Sequence, residues 1–412
     1  MLDINKIRNN KAEVEKALLK RMRRADLDLD KILKRDEERR KIIAKAEALQ
    51  AERNKASKSK PTPEVIKQMK KVGEEIDKIE KEGDKIQADL TELLAALPNI
   101  PADDVVAGGA ENNQVLRTYG RKPEFKFKIK DHVELATSLG LIDYERAVKM
   151  SGSGYWAYLG DGALLEWALL NYFIDFHRRN NYIFMIPPYL LNEQSAFVSG
   201  HLPKFKADLF WTQDNTCLNA TSEMMLGNFH RGEILDESSL PIKYFAFSTC
   251  FRREAGSYRT EERGMIRGHQ FNKIEMFQLT RAEDSWQAFE EMLKSAEELL
   301  KGLELHYRVS QLAAGDASAA MAKTVDLEVW LPSINNYKEV SSVSNALDYQ
   351  ARRGNIKYKA GNKKELVHSL NASGLATSRL IPAILEQFQQ ADGSVKLPKV
   401  LRKFVGKKVF AK

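Results

Sequence analysis

Three stretches of the 412-residue sequence bring charged, polar and aromatic side chains together in patterns that could do chemistry. In the first, Phe251-Arg252-Arg253-Glu254-Ala255-Gly256 is followed, after a polar loop, by His269-Gln270-Phe271-Asn272-Lys273-Ile274-Glu275. Strand alternation would put Arg252 and Glu254 on one face, and Phe271, Lys273 and Glu275 on one face of the next strand. About 15 residues rich in Gly, Ser and Arg lie between, which suggests a long hairpin. An arginine, an aromatic plate and acids on a shared concave face could hold a triphosphate and stack a purine. A salt-bridge ladder on a solvated sheet would use the same residue types.

The second stretch is Tyr337-Lys338-Glu339-Val340-Ser341-Ser342-Val343-Ser344-Asn345. One carboxylate among hydroxyls offers the hard oxygen ligands that Mg²⁺ shares with phosphates, but the set does not by itself specify a metal. The third runs Asn371-Ala372-Ser373-Gly374-Leu375-Ala376-Thr377-Ser378-Arg379 and leads into an apolar helix expected from Leu380 to Phe388. A polar turn here delivers an arginine to a helix start. Either it caps structure, or it presents a cation and amides to a nucleotide phosphate. No Gly-x-Gly-x-x-Gly follows a strand and no Gly-Lys-Ser/Thr loop occurs, so the two commonest phosphate cradles are absent.

The elements that must position these residues divide into two regions, as a chain of this length leads one to expect. From Leu27 to Leu97 there is no Trp, Tyr or Phe, and Lys, Glu, Ala, Ile and Leu dominate, the mixture of long helices. Thr62-Pro63-Glu64 offers an N-cap, a proline at the first helical position and an acid in the first turn. Val65, Met69, Val72, Ile76, Ile79, Ile86, Leu90, Leu93 and Leu97 then recur in steps of four and three, with only Gly83 out of turn, and Pro98 ends the run. That is a coiled-coil seam about 50 Å long at ~1.5 Å per residue. The preceding run, Asp30 to Lys58, has Ile32, Leu33, Ile42, Ile43, Ala46 and Leu49 but is interrupted by Asp36, Arg39 and Arg40. The short connection from Lys58 to Pro63 implies an antiparallel hairpin. Its tip, residues 53–71, carries Arg53, Lys55, Lys58, Lys60, Lys67, Lys70 and Lys71 against Glu64, a net +6. These lysines either solvate an exposed helix or form a salt-sensitive phosphate-binding finger. The whole chain carries +8, divided as +3 over residues 1–105 and +5 over 106–412.

Pro98 to Asn113 reads as a linker rich in turn formers, and from about Gln114 the composition is that of a globular α+β domain. The spacing predicts a helix over Ala163–Arg178 with Leu164, Leu165, Ala168, Leu169, Tyr172 and Phe173 on one face. Apolar runs at Tyr182–Met185, Ile242–Phe247, Ile274–Leu279, Tyr307–Ser310 and Val325–Leu331 predict strands. Long, irregular connections between them argue for a mainly antiparallel sheet flanked by helices. No run of 18 apolar residues occurs, so no membrane span is expected, and the charged start lacks the pattern of a signal or transit segment. Two cysteines, Cys217 and Cys250, exclude a disulfide framework and a four-cysteine zinc site, so a reducing, cytoplasmic setting is expected.

Taken together these stretches resemble the class II aminoacyl-tRNA synthetases. Phe251-Arg252-Arg253-Glu254 with the His269–Glu275 strand is similar to the second signature motif of that class, and the Gly374–Arg379 turn with its helix to the third. Gly160-Asp161-Gly162-Ala163, its helix and Pro187-Pro188 resemble the first, which in that class forms the dimer interface. Thr221-Ser222-Glu223, Glu339-Val340-Ser341-Ser342 and Asn371-Ala372-Ser373 are similar to seryl-type variants, as is the N-terminal arm, so the resemblance covers essentially the whole chain.

The resemblance implies a two-domain α+β protein. Residues 1–105 would be a tRNA-binding helical domain whose coiled-coil arm spans about 30–97, and residues 106–412 a catalytic domain. It implies a ligase that activates L-serine with ATP to seryl-adenylate and charges tRNA(Ser), leaving open whether selenocysteine tRNA is also charged. By similarity Arg252 clamps the α-phosphate, Arg253 and Glu254 contact ATP, Phe271 stacks beneath adenine, and Arg379 covers its other face and the γ-phosphate. Glu339 and Ser342 would hold Mg²⁺, with Val340 and Ser341 beside the nucleotide. Thr221, Ser222, Glu223, Glu275, Asn371 and Ser373, with Arg252, would line the serine pocket. The arm tip would contact tRNA backbone, Arg259 and Arg263 would approach its acceptor end, and residues 160–190 would form a homodimer.

Two positions depart from the family pattern. Ser222 stands where alanine is more usual, which bears on serine affinity, and Glu261-Glu262 replaces an acid–hydroxyl pair in the acceptor-end loop. The cysteine count speaks against the zinc-dependent seryl subtype. Two rival functions share the fold: a ligase that loads a carrier protein, and an inert paralogue that binds RNA. The arm opposes the former, and intact Arg252, Glu254, Glu339 and Arg379 oppose the latter.

Overall fold

The computed structural model describes residues 1–56, 62–255 and 264–412. Two compact units result, Met1–Ile100 and Pro101–Lys412. In the first, helices Leu29–Ala56 and Pro63–Ala96 form the arm. Thr62 caps the second helix by accepting from Val65 N, and Pro63 opens it. Cross-helix pairs Arg35–Asp89, Arg39–Gln87 and Lys45–Glu75 fix the antiparallel sense, since numbers rise on one helix as they fall on the other.

Val72, Ile76, Ile79, Ile86 and Leu90 are buried in the seam, and its last turns bury Leu94 in place of the expected Leu93. Gly83 keeps the register because a Cβ there would lie 3.2 Å from Ile42 Cγ2, tight against the facing helix. Asp36, which breaks the apolar stripe, is buried and is the hub of an ion-pair cluster. It accepts from Arg8 Nη2 at 2.6 Å, Arg39 Nη2 at 3.1 Å and Arg40 Nε at 3.2 Å. Burial pushes its carboxyl up, but Arg8 and then Arg39 outweigh that and hold it below the ordinary range.

The second unit is built on an eight-stranded sheet. Its strands are β1 (Gln114–Tyr119), β2 (Ile183–Met185), β3 (Ile242–Phe251), β4 (Gln270–Thr280), β5 (Tyr307–Gln311), β6 (Lys323–Leu331), β7 (Asn336–Leu347) and β8 (His368–Ala376). The spatial order is β1-β5-β6-β7-β8-β4-β3-β2, antiparallel throughout except for β2 on β3. Helices Asp161–Arg179, Ser285–Gly302 and Thr377–Gln387 cover it, burying Phe173, Phe289 and Ile384 with Phe245, Tyr307 and Leu327 of the sheet. The α+β, mainly antiparallel architecture is the one expected.

Three expectations are corrected. Asn371–Gly374 is not a turn but the interior of β8, and the helix starts at Thr377 rather than Leu380. The strand β3 stops at Phe251, so Arg252 and Glu254 are set by the hairpin connection rather than by strand alternation, and Glu254 takes a left-handed backbone with φ 50°. The stretch read as a linker is fixed from Pro101 onward. Ala102 N donates to Ala322 O, Ala314 N to Val106 O, and Gln311 Nε2 to Asp104 O, each at 2.9 Å. Among the described residues, no helix is long and apolar enough to cross a membrane.

Candidate active site

The register of five neighbouring strands assembles the site. Pairing of β3 with β4 sets Ser248 opposite Lys273 and Cys250 opposite Phe271; pairing of β8 with β4 sets Ser373 opposite Glu275; pairing of β6 with β7 sets Asp326 opposite Ser342. Period-two alternation then aims Phe271, Lys273 and Glu275 to one side, as expected from sequence. On that side lies a cavity of about 520 Å³ whose lining includes Thr221, Glu223, Glu275, Asn371 and Ser373. A narrower cleft of about 50 Å³ adjoins it, lined by Phe271, Val340, Ser378 and Arg379. Arg252, Glu254 and Glu339 line both.

The wide end is acidic. Glu275 is buried, pairs with Lys273, and accepts from Asn371 Nδ2 at 3.1 Å. Lys273 Nζ also donates to Thr221 Oγ1 at 2.6 Å. Glu223 accepts from Gln350 Nε2 at 2.7 Å, and burial, then the charge of Glu275, push its carboxyl up to about 7. Asn371 Oδ1 is buried without a hydrogen-bond partner, an acceptor aimed at nothing else among the described residues. Two carboxylates with one lysine leave this pocket suited to a small ligand carrying an ammonium and a hydroxyl.

The narrow end is cationic and aromatic. The guanidinium of Arg252 lies 5.1 Å from the centroid of Phe271, and its Nε donates to Ala220 O at 3.2 Å. Arg379 Nη1 donates to Glu339 Oε2 at 2.9 Å and to the Glu339 carbonyl at 2.8 Å, so the motif-bearing helix is locked to β7. Glu254 is paired with Arg267 at 2.5 Å. Ser342 Oγ donates to Asp326 Oδ1 at 2.5 Å and lies 3.4 Å from Glu339 Oε1. Burial would raise Glu339, but Arg379 and then Arg252 hold it below the ordinary range. Asp326 goes the other way, raised well above it by burial and by the neighbouring Glu339.

Not every expected residue reaches the site. Ser222 is buried with its Oγ 2.7 Å from Ser248 Oγ and lines neither cavity, so the departure from alanine is absorbed behind the pocket. Ser341 is buried and donates to Ser373 O at 2.7 Å, which makes it a brace between β7 and β8. Arg253 is exposed and lines neither space. In the arm, Arg53, Lys55, Lys67, Lys70 and Lys71 are all exposed on the two helices. Lys58, Lys60, Arg259, Arg263 and the Glu261-Glu262 pair lie outside the described residues.

Sequence reasoning missed four members. Lys273 stands on the predicted face between Phe271 and Glu275, so its signal was present but unused. Asp326 becomes visible only through register, which places it opposite Ser342. Arg267, just before the His269 strand, lines both spaces. His201 lines the cavity with its Nδ1 2.9 Å from Ser199 Oγ; burial, then Arg252 and Lys273, push it down to about 3, so it is a neutral imidazole.

Residues 1–101 match a family model described as the seryl-tRNA synthetase N-terminal domain, and residues 205–388 one described as the tRNA synthetase class II core domain (G, H, P, S and T). The chain is 52% identical to serine--tRNA ligase 2 of Clostridium acetobutylicum over 99% of each chain. Its structure is similar to that of seryl-tRNA synthetase from Pyrococcus horikoshii complexed with ATP, at 34% identity and TM-score 0.92, covering 100% of this chain and 99% of that one. It is likewise similar to a cytoplasmic serine-tRNA ligase from Naegleria fowleri in complex with AMP, at 32% identity and TM-score 0.88, covering 100% and 98%.

Proposed function

The chain belongs to the seryl-tRNA synthetase family, and on that premise we propose how its own residues carry the reaction. It is a serine–tRNA ligase: it activates L-serine with ATP to seryl-adenylate and transfers the seryl group to the 3′ end of tRNA(Ser). The carrier-protein and regulator readings are not favoured, because similarity to serine–tRNA ligases runs the length of the chain.

One observation carries the assignment of roles. Arg252 stands at the junction of the acidic pocket and the aromatic cleft, lining both. Serine held by Glu223, Glu275 and Thr221 and a purine stacked on Phe271 would bring the serine carboxylate and the α-phosphate together beside that guanidinium. The carboxylate oxygen attacks phosphorus and pyrophosphate leaves, while Arg252 stabilises charge on the phosphoryl oxygens. Arg379, braced by Glu339, covers the far side of the purine. Glu254, held by Arg267, faces the nucleotide from the hairpin connection. The terminal ribose hydroxyl of tRNA then attacks the seryl carbonyl and AMP leaves. No protein nucleophile is required; positioning does most of the work.

An all-oxygen donor set of Glu339, Ser342 and Asp326 fits Mg²⁺, and Asp326 joins the two residues expected from sequence. When bound, the ion would neutralise charge on the nucleotide's phosphate oxygens. A cytoplasmic setting fits the two buried, unpaired cysteines. A homodimer through residues 160–190 is supported by apolar side chains left at the surface there: Leu164, Trp167, Ile183 and Ile186 are 48%, 55%, 58% and 71% exposed.

Amino-acid-dependent ATP–pyrophosphate exchange across a panel of amino acids tests the reading. Serine should stimulate exchange, and alanine should lag it by about 10⁴-fold, since it leaves the hydroxyl's buried partners unpaired. No stimulation by serine would sink the assignment. A second prediction follows from Glu223. Its carboxyl must ionise to pair with an ammonium, and in the free enzyme it does so near pH 7. The kcat/KM for serine should therefore rise from pH 6 to 8, and Glu223→Gln should flatten that limb. A limb unchanged in the variant would remove Glu223 from ammonium recognition.

A further inference from the structure

The arm tip does not account for the chain's positive charge. Residues 121–130 hold Arg121, Lys122, Lys126, Lys128 and Lys130 against Glu124, and residues 389–412 hold seven Lys and Arg against Asp392. Together these two segments carry +10, more than the +8 of the whole chain, so all other residues, arm tip included, sum to −2.

The fold makes the two segments one surface. Lys130 N donates to Gln389 Oε1 at 2.9 Å, and Gln389 Nε2 donates back to Lys130 O at 3.0 Å. A Cβ built on Gly393 would lie 3.3 Å from Lys130 Nζ. Val395–Lys396 pairs with Val409–Phe410, which brings Lys396 and Lys408 onto one hairpin. Along the first segment exposure alternates: Lys122, Lys126, Lys128 and Lys130 are exposed, while Phe125, Phe127 and Ile129 are half-buried. These cations stand out along one surface stretch of the chain, which bends at Lys126 and Phe127.

Local acids answer only part of this charge. Lys403 pairs with Asp175 at 3.6 Å, Lys407 with Asp161 at 2.5 Å, and Lys122 sits 3.5 Å from the centroid of Trp330. Lys126, Lys128, Lys396, Lys399 and Lys408 are exposed and have no carboxylate within ion-pair distance among the described residues. Like charges gathered this way repel each other, and a polyanion relieves the repulsion. The partner is read from what accompanies the lysines. Val409, 38% exposed, is the one large apolar side chain at the surface of these segments, so there is little to insert into lipid. A phosphodiester backbone needs only the cations.

We propose that residues 121–130 and 396–412 form a second phosphate-backbone docking surface, on the catalytic unit, for the tRNA substrate. This rests on the reading of the chain as a serine–tRNA ligase. The test replaces Lys126, Lys128, Lys396, Lys399 and Lys408 with glutamine in the full-length chain, keeping the apolar length of each side chain and leaving the pairs to Asp161 and Asp175 intact. Affinity for a tRNA(Ser) transcript is measured against KCl concentration, beside serine-dependent ATP–pyrophosphate exchange without tRNA and binding to phosphatidylserine vesicles. The slope of log affinity on log salt should flatten by about 3.5 to 4.5, at ~0.7–0.9 per lost phosphate contact. Exchange should be unchanged. Lys126→Gln/Lys128→Gln alone, away from the C-terminal hairpin, should give a smaller flattening of the same kind. An unchanged tRNA slope with exchange intact overturns the proposal, as does a loss confined to vesicle binding. Absence of serine-stimulated exchange in the unaltered chain would instead strike at the ligase reading itself.

Discussion

Alanine in place of Arg252 is expected to slow serine-dependent ATP–pyrophosphate exchange by about 10²- to 10³-fold, the cost of removing one preorganised charge at a developing oxyanion. The expectation comes from how the other cations are occupied. Arg267 is paired with Glu254, Lys273 with Glu275, and Arg379 with Glu339. Arg252 alone among the cations lining the cavity and cleft has a carbonyl and an aromatic ring as partners rather than a carboxylate, among the described residues. Its guanidinium therefore makes no direct ion pair, although its charge helps keep Glu339 ionised. The loss should fall mainly on kcat, because the charge it answers grows in the transition state. Arg252→Lys should recover only part of the rate: an ammonium keeps the charge but loses the planar fork and its stacking on Phe271. An exchange rate within threefold of the unaltered chain would remove Arg252 from the reaction centre.

The positions of those cations also explain what sequence could and could not reveal. Apolar runs located β2 to β6 within a few residues; β3 to β6 each pack one face in the core, whereas β2 leaves Ile183 and Phe184 at the surface. The strands β7 and β8 gave no such signal. Ser341, Ser344, Asn345, Asn371 and Ser373 are buried, and each is held by a neighbour, as with Thr324 Oγ1 2.9 Å from Ser344 Oγ. A central strand that faces a polar cavity loses the period-two hydrophobic pattern by which strands are read. Residue types therefore pointed to the site more clearly than to the elements carrying it. Asp326 shows the opposite case. It sits in a legible strand, but only its pairing opposite Ser342 reveals a second carboxylate beside Glu339. Ser222 was legible as a departure, yet its direction was not: the hydroxyl is spent on Ser248. In the arm, Asp36 read as an interruption because a lone sequence does not show Arg8 arriving from another helix.

That same cluster makes a shortened arm a fair experiment. Excising residues 44–81 and joining Ile43 to Glu82 through a short Gly-Ser turn cuts where Ile42 already faces Gly83. The base keeps its own support. Asp36 retains Arg8, Arg39 and Arg40, and buried Ile32, Ile86, Leu90 and Leu94 remain. What goes is the tip with its net +6. Serine-dependent exchange, which needs only the catalytic unit, should stay within about twofold of the full chain. Charging of tRNA(Ser) should fall by at least about 10²-fold at moderate salt, and the loss should shrink as salt is raised, because screening already weakens those contacts in the full chain. A milder variant, with Arg53, Lys55, Lys67, Lys70 and Lys71 changed to glutamine, leaves the helices whole and should give the same direction with a smaller size. If both variants charged tRNA normally, the arm's cations would serve another purpose, and binding of the substrate would fall to the basic surface at residues 121–130 and 396–412. Loss in the shortened arm with none in the glutamine variant would instead assign the arm's contribution to shape rather than to phosphate contacts.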